Sequence, residues 1–549
     1  MKPTRFTNAM IEKYYGEGYW PKESSVDIFN RNAGRYPNHV AIKDNKGNQI
    51  TWGQLKGYSD KVAFHLLCMG FKHDDVLVVQ LPNIIENCII RVALQKAGVI
   101  AAFPTITMRD AEIEGIINKI DARGIIVHEE DPSYDFLAMA RDLKKKTDLT
   151  FVFVISEGGD DTESIKSLME KEVNDKDLLA LKQTQIQPHE VAIVQCTSGT
   201  TGFPKVCEWP DAPILLHGRT TIERMNITTD DVLGIMAPIA GGPGIAIWNA
   251  GFQVPCKMVL QERSSAEEDL RLIEKEKITI IGLVPAQIIR MLRHPNFEKY
   301  DLRSLRAIRP AGAPMSPTVA KEIEEKLPWC KVVVASGTSE SMTLGHTHID
   351  DPFEDRLFTV GKPWPHNEIK IVNEKGEAVP QGEEGEILVR GACTGGGYFK
   401  DEAMTIEAWI TLGEDGWYKT GDIGRINEKG NLQILGRKKE IIIRGGQNIY
   451  PKEVEDMLLK HPKVADVAIV SMPDPIMGEK ACAFAITRGN QKLTLEELAK
   501  FLDTLKIAKF KYPERLVVLE KFPSLGTEKV DRKALKGWAA KLAEEDIRK

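Results

Sequence analysis

The chain of 549 residues carries 73 Lys and Arg against 79 Asp and Glu, a formal net charge of -6, with 42% hydrophobic and 28% charged residues. That balance gives no electrostatic reason to bind nucleic acid or an anionic membrane. The length exceeds what one hydrophobic core organises, so two or more domains are expected. No apolar run reaches the ~18 residues of a transmembrane helix, and Met1 to Asn8 lack the apolar core of a secretory leader. The eight cysteines (Cys68, Cys88, Cys196, Cys207, Cys256, Cys330, Cys393 and Cys482) form no C-x-x-C pair. Free thiols in a reducing cytoplasm are therefore expected.

In chain order, Ile50 to Leu55 leads into a helical pattern through Lys61 to Met69. Asp75 to Leu81 reads as a buried strand, and Asn87 to Ala97 as a helix stopped by Gly98. Gly124 to Val127 and Thr150 to Ile155 read as further buried strands. Strands alternating with helices predict a parallel sheet covered on both faces. Lys144 to Lys146 reads as a solvated helix end, and Glu157 to Lys182 as an acidic, exposed loop with helix.

The densest stretch runs from Gln195 to Lys205, Gln-Cys-Thr-Ser-Gly-Thr-Thr-Gly-Phe-Pro-Lys, behind the short apolar strand Glu190 to Val194. Gly199 and Gly202 allow close backbone approach to a ligand. Thr197, Ser198, Thr200 and Thr201 add hydroxyls, and Lys205 adds a charge, a set that suits a polyphosphate. It is not the Walker loop, because Lys205 follows Phe203-Pro204 and no Ser or Thr comes next. A plain Ser/Thr/Gly turn is the alternative. Cys196 reads as a small packed residue rather than a catalytic thiol.

Beyond it, Val232 to Pro238 is a predicted strand opening into a flexible stretch, Ala240 to Gly244. Ile278 to Val284 and Lys331 to Ala335 are further strand runs. Small-residue turns at such strand ends, Pro285-Ala286, Ala311-Gly312-Ala313-Pro314 and Ser336-Gly337-Thr338-Ser339-Glu340, lie where open α/β sheets bind ligands. Gly345-His346-Thr347-His348 places two His two apart, which on a strand share a face; too few ligands are present for a metal site. From Glu368 the runs Glu368 to Val372, Gly385 to Val389 and Asn431 to Ile434 read as short antiparallel strands. After the charged break Gly436 to Glu440, a helix at Pro451 to Leu459 starts a small α+β unit. Its strands are Val464 to Val470, Cys482 to Ile486 and Leu516 to Leu519, with a helix at Leu495 to Leu505.

The Gln195–Lys205 loop resembles the phosphate loop of the acyl-adenylate-forming superfamily, which includes acyl-CoA synthetases, aryl-acid ligases, peptide-synthetase adenylation domains and luciferases. Further matches follow in order. Leu94 to Pro104 looks like the family's apolar segment ending in proline, a structural feature. Ser336 to Glu340 resembles its Tyr-Gly-x-Thr-Glu element, which implies Glu340 as the Mg²⁺ ligand. Tyr418-Lys-Thr-Gly-Asp422 is similar to its ribose element, and Gly436-Arg437 to its ribose arginine. Lys439 falls at the hinge position. Gly445 and Gly446 match the glycines lining the pantetheine tunnel, and Pro523 to Arg532 resembles the element that makes Lys529 the adenylating lysine.

The resemblance implies an α/β fold. A large N-terminal domain, residues 1–436, would hold parallel-type sheets plus a small antiparallel, barrel-like subdomain. A mobile α+β domain, residues 437–549, would follow it. It implies that ATP and a carboxylic acid give an acyl-adenylate, and that coenzyme A then takes the acyl group. ATP would contact Thr197 to Gly202, Lys205, Gly312, Ala313, Pro314, Ser336 to Ser339, Asp422, Arg437 and Lys529. Thr197, Glu340 and Lys529 would act in catalysis. An acyl pocket is assigned to Ile239, Ala240, Gly241, Trp248 and Met342, an open wall of low polarity. A medium-chain fatty, alicyclic or aromatic acid is expected, in fatty acid metabolism or a related pathway. The chain ends at Lys549 with no carrier domain, so free coenzyme A is the expected acceptor. Loading of a separate carrier protein is the alternative, because Ile11 to Trp20 looks like the N-terminal stretch of aryl-acid activating ligases. A homodimer is left open. A catalytically dead scaffold would lack the charged residues Glu340, Asp422, Arg437 and Lys529, and all four are present. Two further departures are Ser336 in place of an adenine-stacking tyrosine and Glu528 in place of a glycine before Lys529.

Overall fold

The uninterrupted apolar runs become strands covered on both faces. A computed structural model of the chain describes residues 1–197, 204–364, 366–410, 416–524 and 529–548. Ser198, Gly199, Thr200, Thr201, Gly202 and Glu528 lie outside the described residues. Val76–Gln80 is buried at every position, which only a sheet with helices on both sides provides. It sits inside a seven-stranded sheet ordered Glu163–Ser164, Phe151–Val154, Gly124–Val127, Val76–Gln80, Ile100–Phe103, Val191–Thr197, Lys205–Pro210. Every pairing is parallel except the last, where Val191–Thr197 runs against Lys205–Pro210. In the sequence, the glycine-rich segment joins these two strands.

A second seven-stranded sheet is ordered Lys331–Val332, Ala307–Pro310, Ile280–Leu283, Val232–Ile235, Lys257–Leu260, Val40–Asp44, Gln49–Thr51. It is parallel apart from its last edge strand. The helix Ile85–Ala97 ends at Gly98, whose φ is +75°. A Cβ there would meet the Thr184 carbonyl at 2.4 Å, so the predicted stop is also a packing requirement. The antiparallel unit pairs Asn367–Val372, Gly385–Gly391, Trp417–Ile426 and Trp409–Ile410, with Leu432–Arg437 on Trp417–Ile426.

Beyond residue 441, Ile442–Arg444, Gln447–Ile449, Val464–Asp474, Gly478–Thr487 and Arg515–Val518 form their own sheet. Pro451–Leu458 and Leu495–Thr504 bury Val454, Leu458, Leu498 and Leu502 on one side of it. The other side is covered by Arg532–Arg548, a helix absent from the sequence reading, through Leu535, Ala539 and Ala543 at four-residue spacing.

Four expectations change. Within 157–182, the expected exposed loop is found at 157–161 and the expected helix as Ile165–Glu170 and Asp175–Thr184, but these helices also bury Ile165, Leu168 and Leu181 in the main core, so part of the acidic stretch is a packed cover. Ala240 to Gly244 is not loose. Gly242–Gly251 is a helix with Pro243 in its first turn, and a Cβ at Gly244 would stand 2.3 Å from the Pro238 carbonyl. The run Lys331 to Ala335 splits between Lys331–Val332 and Ala335–Ser336, which pair in different sheets. His346 and His348 do not share a face: the strand is only Gly345–His346, His346 is buried, and His348 is half-buried and turns to Asp350 and Asp351. The prediction that Lys144 to Lys146 end a helix in solvent holds.

Candidate active site

Glu340 follows Gly337, where a Cβ would stand 1.7 Å from the Met342 carbonyl. Only glycine permits that turn, which Thr338 and Ser341 tie together by mutual hydrogen bonds at 3.0 Å. Trp209 Nε1 donates to the Ser339 carbonyl at 2.6 Å, fastening the turn to the strand that begins at Lys205. Glu340 is buried. The Tyr398 hydroxyl donates to its Oε1 at 2.8 Å and accepts from Lys205 Nζ at 3.1 Å, while Lys205 Nζ itself lies 3.9 Å from Glu340.

Tyr398 was missed in the sequence reading. The signal was the run Gly395-Gly396-Gly397 before it, since a Cβ at Gly395 would stand 2.8 Å from the Glu340 carbonyl. Burial, with the Glu340 carboxylate beside them, pushes the Tyr398 and Tyr418 hydroxyls well above the ordinary phenol range, so both stay protonated. Tyr398→Phe should therefore weaken adenylation by about tenfold, the value of a hydrogen bond to a charged group. It should also raise the divalent-metal concentration needed for half-maximal pyrophosphate exchange. An unchanged metal titration would show that Tyr398 does not position Glu340.

Asp422 and Arg437 are register partners on adjacent strands, with Arg437 Nε 3.0 Å from Asp422 Oδ1. Burial raises the Asp422 pKa against the opposing pull of Arg437. Lys439 follows on the short helical turn Lys438–Glu440. Its pKa is lowered by burial, then by Arg437, and further by Lys205. Lys529 is exposed, yet enough protein surrounds it that burial, and then Arg437, lower its pKa as well. Its Cε lies 3.7 Å from the Cβ position of Gly312. Gly312 has φ +85°, and Gly312, Ala313 and Pro314 form an exposed rim.

Arg437 thus acts on both Lys439 and Lys529, and Lys205 acts on Lys439, which gathers cations from three distant parts of the sequence near Glu340 and Asp422. That concentration of positive charge suits a polyphosphate. Thr197 ends its strand at the loop, and Ser336 ends the strand Ala335–Ser336 beside this turn. Gly445 and Gly446 are not brought to the site. They lie exposed on a hairpin, with only Met477 within 4 Å of a Cβ at Gly445 and nothing at Gly446.

The expected acyl wall differs from an open apolar surface. Ile239 is buried in the main core, and Trp248 and Met342 join the same cluster. Gln195 Nε2 donates to the Ala240 carbonyl and stands 3.1 Å from the Cβ position of Gly241. Arg91 donates to the Ile239 carbonyl at 3.0 Å. The carbonyls of this segment need donors once buried, and polar side chains supply them. Cys196 is the packed residue expected, its thiol pushed up to about 12 by burial.

These features bring together a buried carboxylate, a cluster of cations and a lysine from the small C-terminal unit, a set that fits an enzyme acting on a nucleotide. A family model described as AMP-binding enzyme matches residues 29–399, and one described as AMP-binding enzyme C-terminal domain matches residues 453–529. The chain is 31% identical to the medium-chain fatty-acid–CoA ligase of Escherichia coli (strain K12), over 94% of this chain and 91% of the relative. It is 30% identical to the 2,3-dihydroxybenzoate-AMP ligase of Bacillus subtilis (strain 168), over 97% of each. The anthranilate CoA ligase AuaEII, solved in complex with anthranoyl-AMP, shares the fold with a TM-score of 0.85 at 22% identity, over 96% of this chain and 99% of that one. The chain belongs to the AMP-binding enzyme family. It is an AMP-forming acid–thiol ligase that uses ATP and coenzyme A. Among the described residues no helix is long and apolar enough to cross a membrane.

Proposed function

We propose that this ligase activates a medium-sized acid with an apolar body, a medium-chain fatty, alicyclic or aromatic acid, and that the assigned residues divide two half-reactions. The observation that carries the assignment is Lys529, which lies against Gly312 and within the field of Arg437. In the first half an oxygen of the acid attacks the α-phosphorus of ATP, the bond to the bridging oxygen breaks, and pyrophosphate leaves. Lys529, Lys205 and the donors of the Thr197–Gly202 loop offset the repulsion between two anions and the charge developing at phosphorus. Asp422 and Arg437 hold the ribose. In the second half a thiol attacks the acyl carbon and AMP leaves.

Glu340 fits Mg²⁺: it is a buried hard oxygen donor, met directly by a neutral Tyr398 hydroxyl, with the Lys205 ammonium no closer than 3.9 Å. Bound there with phosphate oxygens, the ion would supply charge neutralisation. The proposal sets the division between the domains near residues 436 and 437, with Lys439 as hinge. Gly445 and Gly446, exposed in this arrangement, would reach the site after rotation.

A panel of carboxylic acids, read by AMP release, tests the acid. None of the wall residues Ile239, Ala240, Gly241, Trp248 and Met342 carries a charge for an amino group, and each additional buried methylene contributes ~0.8 kcal/mol. Rates should rise from acetate to medium-sized acids, with α-amino acids poor. A preference for acetate or an amino acid would overturn this reading.

Loading of a carrier protein is the second reading. Met10 and Tyr14 of the N-terminal helix Asn8–Gly16, with Phe6 before it and Trp20 after it, pack in one cluster with Leu216 and Trp364, so the stretch quoted for that alternative is an ordered part of the fold. Thioester yield with coenzyme A against carrier protein separates the two. Cytoplasmic location belongs to the same proposal, supported by eight free cysteines, seven of them buried. The homodimer is left to light scattering.

A further inference from the structure

Arg309 lies on the strand Ala307–Pro310, level with Gly282 on the neighbouring strand. A Cβ at Gly282 would meet Ile247 at 2.7 Å and the Pro243 carbonyl at 2.8 Å. This face of the sheet therefore looks onto the helix Gly242–Gly251, which carries Trp248 and Asn249. Ile308 points the other way, into the cluster with Ile281 and Ile323.

Arg309 is only 4% exposed. Its Nε donates to His346 Nε2 at 3.2 Å, while its Nη1 is buried with no hydrogen-bond partner. Among the described residues no carboxylate lies within ion-pair distance of it. Its neighbours supply no countercharge either. His346 and His217 are both held neutral, first by burial and then by Arg309. His217 is in turn linked to Asn249 at 3.1 Å.

Arg91 makes an instructive contrast. It too is buried without a carboxylate, but it covers the Phe103 ring at 3.5 Å and donates to Asn87 Oδ1 at 3.1 Å and to the Ile239 carbonyl. These contacts explain it as a brace. With Trp248, Asn249 and Phe252 it lines a small cavity. Nothing comparable occupies Arg309 Nη1. Buried guanidinium groups are as a rule paired and buried donors bonded in folded proteins, so this donor is open to a group that arrives from outside.

We propose that Arg309 reads an oxygen acceptor carried at the far end of the acid, so that the substrate has an apolar body with a second acceptor, either a hydroxyl or a carboxylate. This rests on the acid-activation reading above. A carboxylate would meet both the unpaired charge and the unpaired N–H; a hydroxyl would meet only the second. A site that buries a donor for a substrate oxygen also rejects the analogue lacking it, because the donor is then left unpaired.

The test is acid-dependent pyrophosphate exchange with matched acids: hexanoate against its terminal hydroxy and carboxy analogues, and benzoate against its ring-hydroxy and ring-carboxy analogues. In the wild type the best acceptor-bearing acid should exceed its plain partner in kcat/KM by roughly a hundredfold. The winning analogue identifies the oxygen. Arg309→Met should collapse that ratio to within about threefold, and Arg309→Lys should keep part of it. A wild-type ratio near one, or a ratio unchanged in Arg309→Met, would overturn the proposal. Should Arg309→Met fail to fold by thermal unfolding, the wild-type ratio and Arg309→Lys decide. If no acid supports exchange at all, acid activation itself fails and this inference falls with it, a result distinct from a flat ratio.

Discussion

Lys529→Ala should slow adenylate formation by roughly a hundred- to a thousandfold, a loss of ~2.7–4 kcal/mol of transition-state stabilisation, while a supplied acyl-adenylate is still converted to thioester. The first half-reaction brings an acid anion onto a polyphosphate, and the Lys529 side chain lies against Gly312, with burial first and then Arg437 depressing its pKa. The second half-reaction needs thiol access and no charge at that position. Lys439→Pro should show the reverse. It fixes φ within the short turn Lys438–Glu440, so adenylation should survive and thioester formation should slow. Single-turnover kinetics of each half-reaction in both variants is the measurement. Equal losses in both halves for both variants would remove the proposed hinge.

Glu340→Gln should abolish most pyrophosphate exchange at ordinary Mg²⁺ while leaving the fold intact. Shape and the bond from Tyr398 are retained, since a glutamine oxygen still accepts from the hydroxyl that donates at 2.8 Å to Glu340. What disappears is the buried charge that a divalent cation requires. A loss of roughly a hundredfold, partly recovered at high metal concentration, is expected. Thermal unfolding close to wild type would show that the loss is chemical. Wild-type exchange at ordinary Mg²⁺ would remove Glu340 from this role.

Much of the site was legible in the sequence because its parts are local. Gly337 with Glu340, Asp422, Arg437 and Lys529 each sit in a short segment that resembles a family element, whereas the pairing of Asp422 with Arg437 across adjacent strands appears only in the fold. The strands were legible for a similar reason: Val76 to Gln80 can be apolar throughout only if both faces are covered. What the chain by itself determined was therefore the order of the elements, the fold class and the charged residues available for phosphate chemistry.

Only the tertiary structure decided which of those groups meet, because meeting depends on sheet order and on how the second unit docks. Tyr398 reaches Glu340 across 58 positions of sequence through a glycine run that has no meaning until its neighbour is known. Ile239 and Ala240 are assigned to a pocket wall from the sequence, and only the fold shows that Arg91 and Gln195 bind their carbonyls and that Ile239 packs in the main cluster. Arg309 shows the limit most sharply. In the sequence it is one arginine at a strand end. In the fold it is a buried cation with one unused donor, and that property belongs to its surroundings, which no local pattern encodes.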